Sequence, residues 1–472
     1  MRSLLASTDG RKKVLVALVA APLAAFFAAG AALGALAEGR GWSALIVIAA
    51  VLVALVVAAL AGRRLLEAAQ SIRRRQRTDW IPEKLRPLRL EISASEPRRI
   101  DILHPAIDLK HFFGGFIAVF NLARALAESG RRVRLIATES SSLPADWRAR
   151  IGSYEGLGSG ALDRIEVVFA HDRAPLPINP SDRLIATHWT VAHIAHGATA
   201  ELAEKRFVYL IQEYEPFIFP MGSAAALAAE SYRFPHRAIF STELLRGYFA
   251  RHEIGVYAVG EESGRRDSLV LDNAITPVGP VGAESLRRDG PRRLLFYARP
   301  EEHAQRNLFE IGAMAIDRVL AGGGLAGWEL IGVGSVEPGT APLVLPESGA
   351  RVEMIPRRSQ AEYAALLRYC DVGLALMYTP HPSLVPIEMA AAGMVTVSNT
   401  FENKDAAALT AISSNLIAAE PTVAGVAAAL GSAEVRAADL DARAGGSHLN
   451  WPSSWTQSLN DAFMARLQEW AG

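Results

Sequence analysis

The sequence predicts an α/β protein in which two doubly wound domains follow a transmembrane helical hairpin. Two apolar runs, residues 14–37 and 43–62, lie near the N-terminus. From about Arg98 onward, short apolar strands alternate with amphipathic helices, which is typical of a parallel sheet covered on both faces. A polar stretch rich in glycine and proline, residues 272–293, interrupts this alternation, which then starts again. Because 472 residues are also too many for one core, we expect two domains after the hairpin.

The two apolar runs are each about twenty residues long, which is enough to cross the hydrocarbon core of a bilayer. Neither run has a polar face, which favours membrane spans. The alternative is that the two runs form two buried helices of a soluble domain. Basic residues precede the first run and follow the second at residues 63–77. The positive-inside rule therefore predicts that residues 1–78 form a hairpin in the inner (cytoplasmic) membrane, with the later domains in the cytoplasm. The second basic segment either lies against anionic lipid headgroups or is a plain flank of the span.

The first α/β domain is predicted for residues 98–275. Its first strand, "RRIDILHP", precedes a loop with Gly114 and Gly115 and then the helix "FIAVFNLARALAESG". Glycines at this place would let backbone amides approach a phosphate or a sugar. His188 and Glu213 each follow a predicted strand and would face a cleft. They are candidates for contacts with a hydroxyl-rich acceptor or sugar, and solvated loop side chains are the alternative.

The second α/β domain is predicted for residues 293–450, after a linker at residues 276–292. Its strands and helices alternate from "RLLFYARP" to "MVTVSN". Residues 451–472 are predicted to form one amphipathic helix that packs back against the body of the protein. Two such domains would enclose a cleft between the carboxyl ends of two sheets, where ligands of open α/β folds bind.

Three charged residues of the second domain are candidates for a binding site. Arg299 stands at the carboxyl end of a predicted strand and Arg306 near the start of the next helix, an arrangement that would suit a diphosphate. The alternative is that these arginines pair with neighbouring glutamates at residues 301 and 302. Glu388 is the one carboxylate of the apolar helix "PIEMAAAG". It is therefore either solvent-exposed or held at a ligand site, because burial without a partner is costly.

Composition and spacing exclude several classes of function. The chain has 49 basic and 49 acidic residues, and this zero net charge argues against a general nucleic-acid binder. Cys370 is the only cysteine, so neither an intrachain disulfide nor a cysteine-based metal cage can form. The acidic pair in residues 439–441 is expected to be solvated, and no metal is predicted. The "GVG" of residues 332–334 lacks the helix and the acidic residue of a dinucleotide-binding fingerprint.

Three stretches of the chain resemble a known enzyme family. They are residues 212–249, "FYARPEEHAQRNLFEIG" and "TPHPSLVPIEMAAAG". With the Gly-Gly loop, they resemble the retaining GT-B glycosyltransferases of family four, and among these the WsaF-type bacterial rhamnosyltransferases, over residues 98–461. The resemblance implies two Rossmann-like domains, the first for the acceptor and the second for the nucleotide-sugar donor.

The resemblance also implies roles for individual residues. Arg299 would bind the donor diphosphate, with Arg306 and Asn307 nearby. Glu388 matches the second glutamate of the family motif, which binds the nucleotide ribose. The first glutamate of that motif lies eight positions before the second and contacts the donor sugar. This chain has Pro380 at that position, in a loop similar to that of the WsaF-type subgroup. The backbone amides of Ser383, Leu384 and Val385 would donate hydrogen bonds to the diphosphate or the sugar.

The leading hypothesis is a membrane-anchored, retaining hexosyltransferase. It would transfer a sugar from a nucleotide-diphosphate sugar to a cell-surface polysaccharide or a lipid-linked glycan, beside other proteins of polysaccharide synthesis. dTDP-L-rhamnose is a candidate donor, and neither a metal nor a cofactor is expected. The alternatives are a non-catalytic GT-B-like subunit that binds glycan or partner enzymes, and a membrane-bound nucleotide-sugar epimerase or dehydrogenase.

Overall fold

The computed structural model describes residues 80–471, apart from residues 110–113, 142, 159, 335–338 and 357. The chain divides into two compact units, Met1–Lys84 and Leu85–Gly472. The predicted transmembrane hairpin, residues 1–78, lies outside the described residues. Among the helices that are described, none combines the length and the apolar character that a bilayer span requires.

The described part of the first unit forms one short helix, and that of the second unit forms two seven-stranded sheets and a two-stranded sheet. The strands are β1 (Leu90–Ile92), β2 (Ile100–His104), β3 (Val133–Ala137), β4 (Ile165–Phe169), β5 (Leu176–Ile178), β6 (Arg183–Ala186), β7 (Phe207–Ile211), β8 (His236–Phe240), β9 (Ser268–Val270), β10 (Arg293–Tyr297), β11 (Glu329–Val333), β12 (Leu343–Val344), β13 (Arg351–Ile355), β14 (Val372–Leu374), β15 (Val395–Asn399) and β16 (Leu416–Ala419). The helices are α1 (Ile81–Lys84), α2 (Gly114–Glu128), α3 (Trp147–Ile151), α4 (Trp189–Thr199), α5 (Ser223–Ser231), α6 (Glu243–Arg251), α7 (Glu261–Arg266), α8 (Ala283–Leu286), α9 (Phe309–Ala321), α10 (Gln360–Arg368), α11 (Leu384–Ala391), α12 (Ala406–Ile412), α13 (Val423–Arg436), α14 (Leu440–Gly446), α15 (Trp455–Ser458) and α16 (Asp461–Ala471).

The first sheet has the strand order β4-β3-β2-β6-β7-β8-β9, and every neighbouring pair is parallel. Strands β2, β3 and β7 are buried at every position. Strands covered on both faces read as continuous apolar runs rather than as an alternation, and this is how they appear in the sequence. The predicted α/β architecture of this part of the chain is therefore confirmed.

The second sheet has the order β12-β13-β11-β10-β14-β15-β16 and is parallel except at its edge, where β12 and β13 are antiparallel. The sequence predicts a strand "DVGLALM", but β14 ends at Leu374. The loop after it is held by Asn399, whose side chain accepts a hydrogen bond from the Met377 amide at 2.6 Å. The same side chain donates to the Met377 carbonyl at 3.1 Å, so this buried amide fixes the loop that leads to α11.

The C-terminal segment forms two short helices, α15 and α16, rather than the single helix predicted for residues 451–472. The break follows from Asn460, whose side chain accepts a hydrogen bond from the Phe463 amide at 3.0 Å and so caps α16. Trp455, Phe463 and Leu467 are buried in the apolar core on one face of the first sheet. The C-terminus therefore packs on the first domain, although it follows the second in sequence.

Candidate active site

The loops after β7 of the first sheet and β10 of the second sheet lead into one interdomain cleft. Nε of Arg306, in the turn after β10, lies 4.0 Å from Oε1 of Glu213, which follows β7. A second approach joins Gly114 and Leu384, because a Cβ atom on Gly114 would lie only 3.1 Å from Cδ1 of Leu384. Four residues singled out in the sequence are therefore brought together at this cleft.

The glycine pair at the start of α2 allows a close approach between backbone and side chains. A Cβ atom on Gly115 would lie 3.2 Å from Oε1 of Gln212, at the edge of what side chains tolerate. That oxygen is buried and has no hydrogen-bond partner among the described residues. An unpaired buried acceptor beside glycine backbone is a place where a ligand donor would be accommodated.

Arg299 follows β10 and is mostly buried, and its guanidinium is already engaged. Nη1 donates to the Tyr297 hydroxyl at 2.8 Å, and Nε donates to Oε2 of Glu301 at 3.0 Å. The pairing with Glu301 is the alternative that the sequence left open. Oε1 of Glu301 is buried without a hydrogen-bond partner among the described residues. Nη2 also lies 3.3 Å from Nε2 of His303. Arg299 is therefore held in place by three neighbours, and a diphosphate would have to compete with Glu301 for it.

Arg306 and Asn307 end a short 3-10 turn after β10 and have different surroundings. Nη1 of Arg306 donates to the His303 carbonyl at 3.1 Å, while its Nε is buried and has no hydrogen-bond partner among the described residues. Asn307 is buried, and its side chain donates to the Leu376 carbonyl at 3.1 Å. Arg306 thus has a donor available toward the cleft, whereas the side-chain amide of Asn307 supports the loop after β14.

A buried lysine, Lys404, completes the charge cluster and was not identified from the sequence. Its side chain is fully buried, and Nζ donates to the Met377 carbonyl at 2.5 Å. Burial lowers the pKa of Lys404 to about 7, while Glu213 acts to raise it. Burial raises the pKa of Glu213 to about 7, although Arg306, Lys404 and Thr379 act to lower it. Oε2 of Glu213 is buried without a hydrogen-bond partner among the described residues.

The loop before α11 contains Pro380 where the family motif has its first glutamate. His381 is buried, which lowers its pKa to about 3, so its ring is neutral. Nδ1 of this ring accepts a hydrogen bond from the Ser383 amide at 2.9 Å. Ser383 has a positive φ of 66°, unusual for a residue with a side chain. The Ser383 amide is therefore engaged within its own loop and would have to give up this bond to reach a ligand.

Glu388 is buried, so the solvent-exposed alternative is excluded. It lies one turn after Leu384 on α11, hence on the side of that helix which meets Gly114. Oε1 accepts a hydrogen bond from the Thr276 amide at 2.9 Å. Burial raises the pKa of Glu388, whereas Thr276 and the Tyr363 hydroxyl act to lower it. A carboxylate has about four acceptor positions. The amide and the side chain of Thr276 and the Tyr363 hydroxyl occupy three of them, so one remains for a ligand hydroxyl group.

His188 lies at the N-terminus of α4, where its ring caps the helix by accepting from the Thr190 amide. Its Nε2 lies 3.4 Å from Oε1 of Glu215, a residue that the sequence analysis did not single out. Oε2 of Glu215 accepts a hydrogen bond from the Tyr209 hydroxyl at 2.8 Å, and burial raises the pKa of Glu215 to about 8. His188 is thus connected to the Glu213 loop through Glu215.

Two family models match the chain. "WsaF, N-terminal domain" matches residues 99–243, and "WsaF, C-terminal domain" matches residues 292–431. The O-antigen biosynthesis protein RfbC of Myxococcus xanthus is 32% identical over 328 residues. That match covers 68% of this chain but 23% of RfbC, so the chain spans about a quarter of the length of this relative.

Solved structures share the fold at low sequence identity. Sucrose-phosphate synthase from Thermosynechococcus elongatus is 13% identical, with 79% of this chain and 97% of that chain covered and a TM-score of 0.50. Anabaena HepE, solved in complex with UDP-glucose, is 12% identical, with 79% and 98% covered and a TM-score of 0.50. These likenesses show the two-domain, Rossmann-like GT-B architecture.

Proposed function

Because the chain belongs to the WsaF family of GT-B glycosyltransferases, we propose that it transfers a sugar from a nucleotide-diphosphate sugar to a glycan acceptor. The observation that carries this proposal is the cluster of Glu213, Arg306 and Lys404 at the interdomain cleft, beside the loop that leads into α11. Charged groups with raised or lowered pKa values in a cleft are typical of substrate sites. The UDP-glucose complex of HepE is consistent with a nucleotide sugar as donor.

We assign the donor nucleotide to the second domain. The Glu388 carboxylate would accept hydrogen bonds from the ribose hydroxyls, and the first-turn amides of Leu384 and Val385 would face the diphosphate. Arg299 would exchange its bond to Glu301 for a two-pronged contact with a phosphate. The Arg306 Nε donor, which has no hydrogen-bond partner among the described residues, would bind the same phosphate.

The chemistry requires departure of the nucleoside diphosphate and stabilisation of an oxocarbenium-like sugar. Arg299 and Arg306 would stabilise the negative charge that develops on the leaving group. We favour attack of the acceptor hydroxyl on the face that the diphosphate leaves, with retention of configuration. dTDP-L-rhamnose is the donor that the resemblance to rhamnosyltransferases favours, and no resident metal or cofactor is included in this proposal.

The acceptor side is assigned to the first domain. Glu213 and the His188–Glu215 pair would hydrogen-bond to hydroxyl groups of the donor sugar or the acceptor. RfbC belongs to O-antigen biosynthesis, so a polysaccharide or a lipid-linked glycan is the acceptor class that we propose. The two apolar runs at residues 14–37 and 43–62 favour anchoring in the inner membrane with the catalytic domains in the cytoplasm.

A second candidate is a non-catalytic glycan-binding or partner-binding subunit. Pro380 in place of the first motif glutamate and the engagement of Arg299 with Glu301 both favour it. Release of nucleoside diphosphate from nucleotide sugars by the purified full chain, with and without acceptor, tests the choice. We expect release that depends on Arg299. Tight nucleotide binding without any turnover across donors would support the non-catalytic subunit instead.

A further inference from the structure

The first sheet carries an arginine at the beginning of every strand. Because its seven strands are parallel, these positions all lie at the edge formed by the N-terminal ends of the strands. The C-terminal ends of the strands form the opposite edge and lead into the cleft. The second sheet has no comparable series, because β11, β14 and β16 neither begin with an arginine nor directly follow one. The arginine edge, in the strand order of the sheet, consists of Arg164, Arg131, Arg132, Arg98, Arg99, Arg183, Arg206, Arg237 and Arg266.

The arginine edge is long and contains two cavities. Neighbouring strands are about 4.8 Å apart, so seven strands extend over roughly 29 Å. One cavity, of about 390 Å³, is bordered only by uncharged residues and by Arg98, Arg99, Arg131 and Arg132. A second cavity of about 400 Å³ at the other end is bordered by four arginines and two carboxylates. The only charged residues that border the first cavity are therefore arginines.

The positive charge of this edge is only partly neutralised. Arg99 pairs with Glu96 and Glu166, and Arg206 pairs with Asp267, at distances of 3.0 to 3.4 Å. By contrast, three arginines make no ion pair among the described residues. They are Arg131, Arg132 and Arg164.

The pKa values of two arginines also indicate that positive charges are crowded at this edge. Burial lowers the pKa of Arg237, and Arg206 acts in the same sense. Burial also lowers the pKa of Arg183, with Arg98 adding to the effect. Glu204 acts to raise both pKa values, so carboxylates of the protein offset part of this repulsion. An external anion would offset more of it.

A purely structural role explains only part of the series. An arginine after a helix can complement the negative end of the helix dipole, and Arg131 follows α2 by three residues. No α-helix ends directly before β2 or β6, however, so the helix dipole does not explain the arginines at the start of these two strands.

We propose that the arginine edge docks on an anionic phospholipid surface. A row of guanidinium groups about 29 Å long matches a plane of phosphates better than it matches one small anion. Docking by this edge would leave the cleft, at the opposite edge of the sheet, open to nucleotide sugar and acceptor. The apolar runs before residue 78 would bring the domain to such a surface, but the proposal rests on the arginine edge itself.

The test uses the full chain in lipid nanodiscs. A fluorophore on Ser129→Cys, beside the first cavity, reports quenching by a headgroup-labelled lipid, and a fluorophore on the exposed helix residue Ser432→Cys is the reference. Native Cys370 is buried and should not compete for the label. Discs of phosphatidylcholine alone are compared with discs that also contain phosphatidylglycerol.

We expect quenching at Ser129→Cys to be at least about twofold stronger in the anionic discs and to weaken with salt. Replacing the three unpaired arginines, Arg131, Arg132 and Arg164, by glutamine should abolish that difference. A matched control replaces three exposed arginines elsewhere, Arg251, Arg318 and Arg351, and should preserve it. Circular dichroism checks that both variants fold.

Three outcomes would overturn the docking proposal. The first is equal quenching in the two kinds of disc. The second is an equal loss in the control variant, which would indicate a general charge effect. The third is complete displacement by millimolar inorganic phosphate, which would make the cavity a site for a small anion. None of these readings depends on glycosyltransferase activity.

Discussion

Glu213 and Arg306 face each other across the interdomain cleft, with Oε1 and Nε 4.0 Å apart. Neither the Nε atom of Arg306 nor Oε2 of Glu213 has a hydrogen-bond partner among the described residues. A separation of 4.0 Å is at the limit of an ion pair, so a hydroxyl or phosphate oxygen between the domains would satisfy both groups. The two domains thus bring a carboxyl group and a guanidinium group to the same place.

Glu213→Gln should remove a pH dependence of stability. Burial raises the pKa of Glu213 from 4.5 to about 7, so the folded protein holds this proton more tightly than the unfolded chain. Its contribution to stability is complete below pH 4.5 and is lost as pH rises to about 7. The difference in free energy of unfolding between wild type and variant should fall over that range, by at most about 1.4 kcal/mol per pH unit.

Urea unfolding at a series of pH values measures this difference. Glu284→Gln, at an exposed position, is the matched control and should show no such trend. A wild-type minus Glu213→Gln difference that stays constant over the range would contradict the placement of Glu213.

Glu301→Gln should strengthen nucleotide binding. The Nε donor of Arg299 is now bonded to Glu301, and loss of that charged partner frees it for the diphosphate. Calorimetry with the nucleoside diphosphate should show a gain of about 1 kcal/mol or more. Glu302→Gln makes the same charge change at an exposed neighbour. Equal gains in the two variants would mean that Arg299 is not the receiving group.

Glu388→Gln should weaken binding of the same nucleotide by about 1.5 to 3 kcal/mol. The substitution keeps an oxygen for the Thr276 amide but replaces a charged acceptor of the ribose hydroxyls with a neutral one. Calorimetry checks the affinity, and thermal unfolding checks that α11 stays in place. Unchanged affinity would give Glu388 a purely structural role in holding the linker.

A protein that begins at Leu85 should fold and bind the donor nucleotide. Leu85–Gly472 is a compact unit, and its described residues include both sheets and their cores. Circular dichroism and calorimetry on the shortened protein test this. If it folds but loses nucleotide affinity, residues before Leu85 contribute to the site.

Much of the fold was predictable because buried parallel strands such as β2 and β7 are continuous apolar runs in the sequence. The edge strand β12 and its neighbour β13 were not predicted, because they are short or half exposed and their patterns are weak. The break at Leu459 in the C-terminal segment was also missed. Asn460 directly before an apolar pattern is a helix-cap signal that could have identified it.

Residues of the candidate site could be predicted only where the neighbouring sequence formed a recognisable pattern. Glu388 and Arg306 could be found from a lone charge in an apolar helix and an arginine after a strand. Lys404 lies in a polar turn, "ENKD", that gives no sign of burial, because its partners come from distant loops. The loss of the Ser383 amide to His381 likewise depends on a loop conformation that no spacing rule determines.

The most direct test of the proposed mechanism is turnover of Arg299→Ala, measured beside its thermal stability. If Arg299 stabilises the leaving diphosphate, the activation free energy should rise by about 3 kcal/mol or more while the protein stays folded. Arg299→Lys should not restore turnover, because an ammonium group cannot reproduce the two-pronged contact of a guanidinium with phosphate. Wild-type turnover in Arg299→Ala would contradict the proposed mechanism.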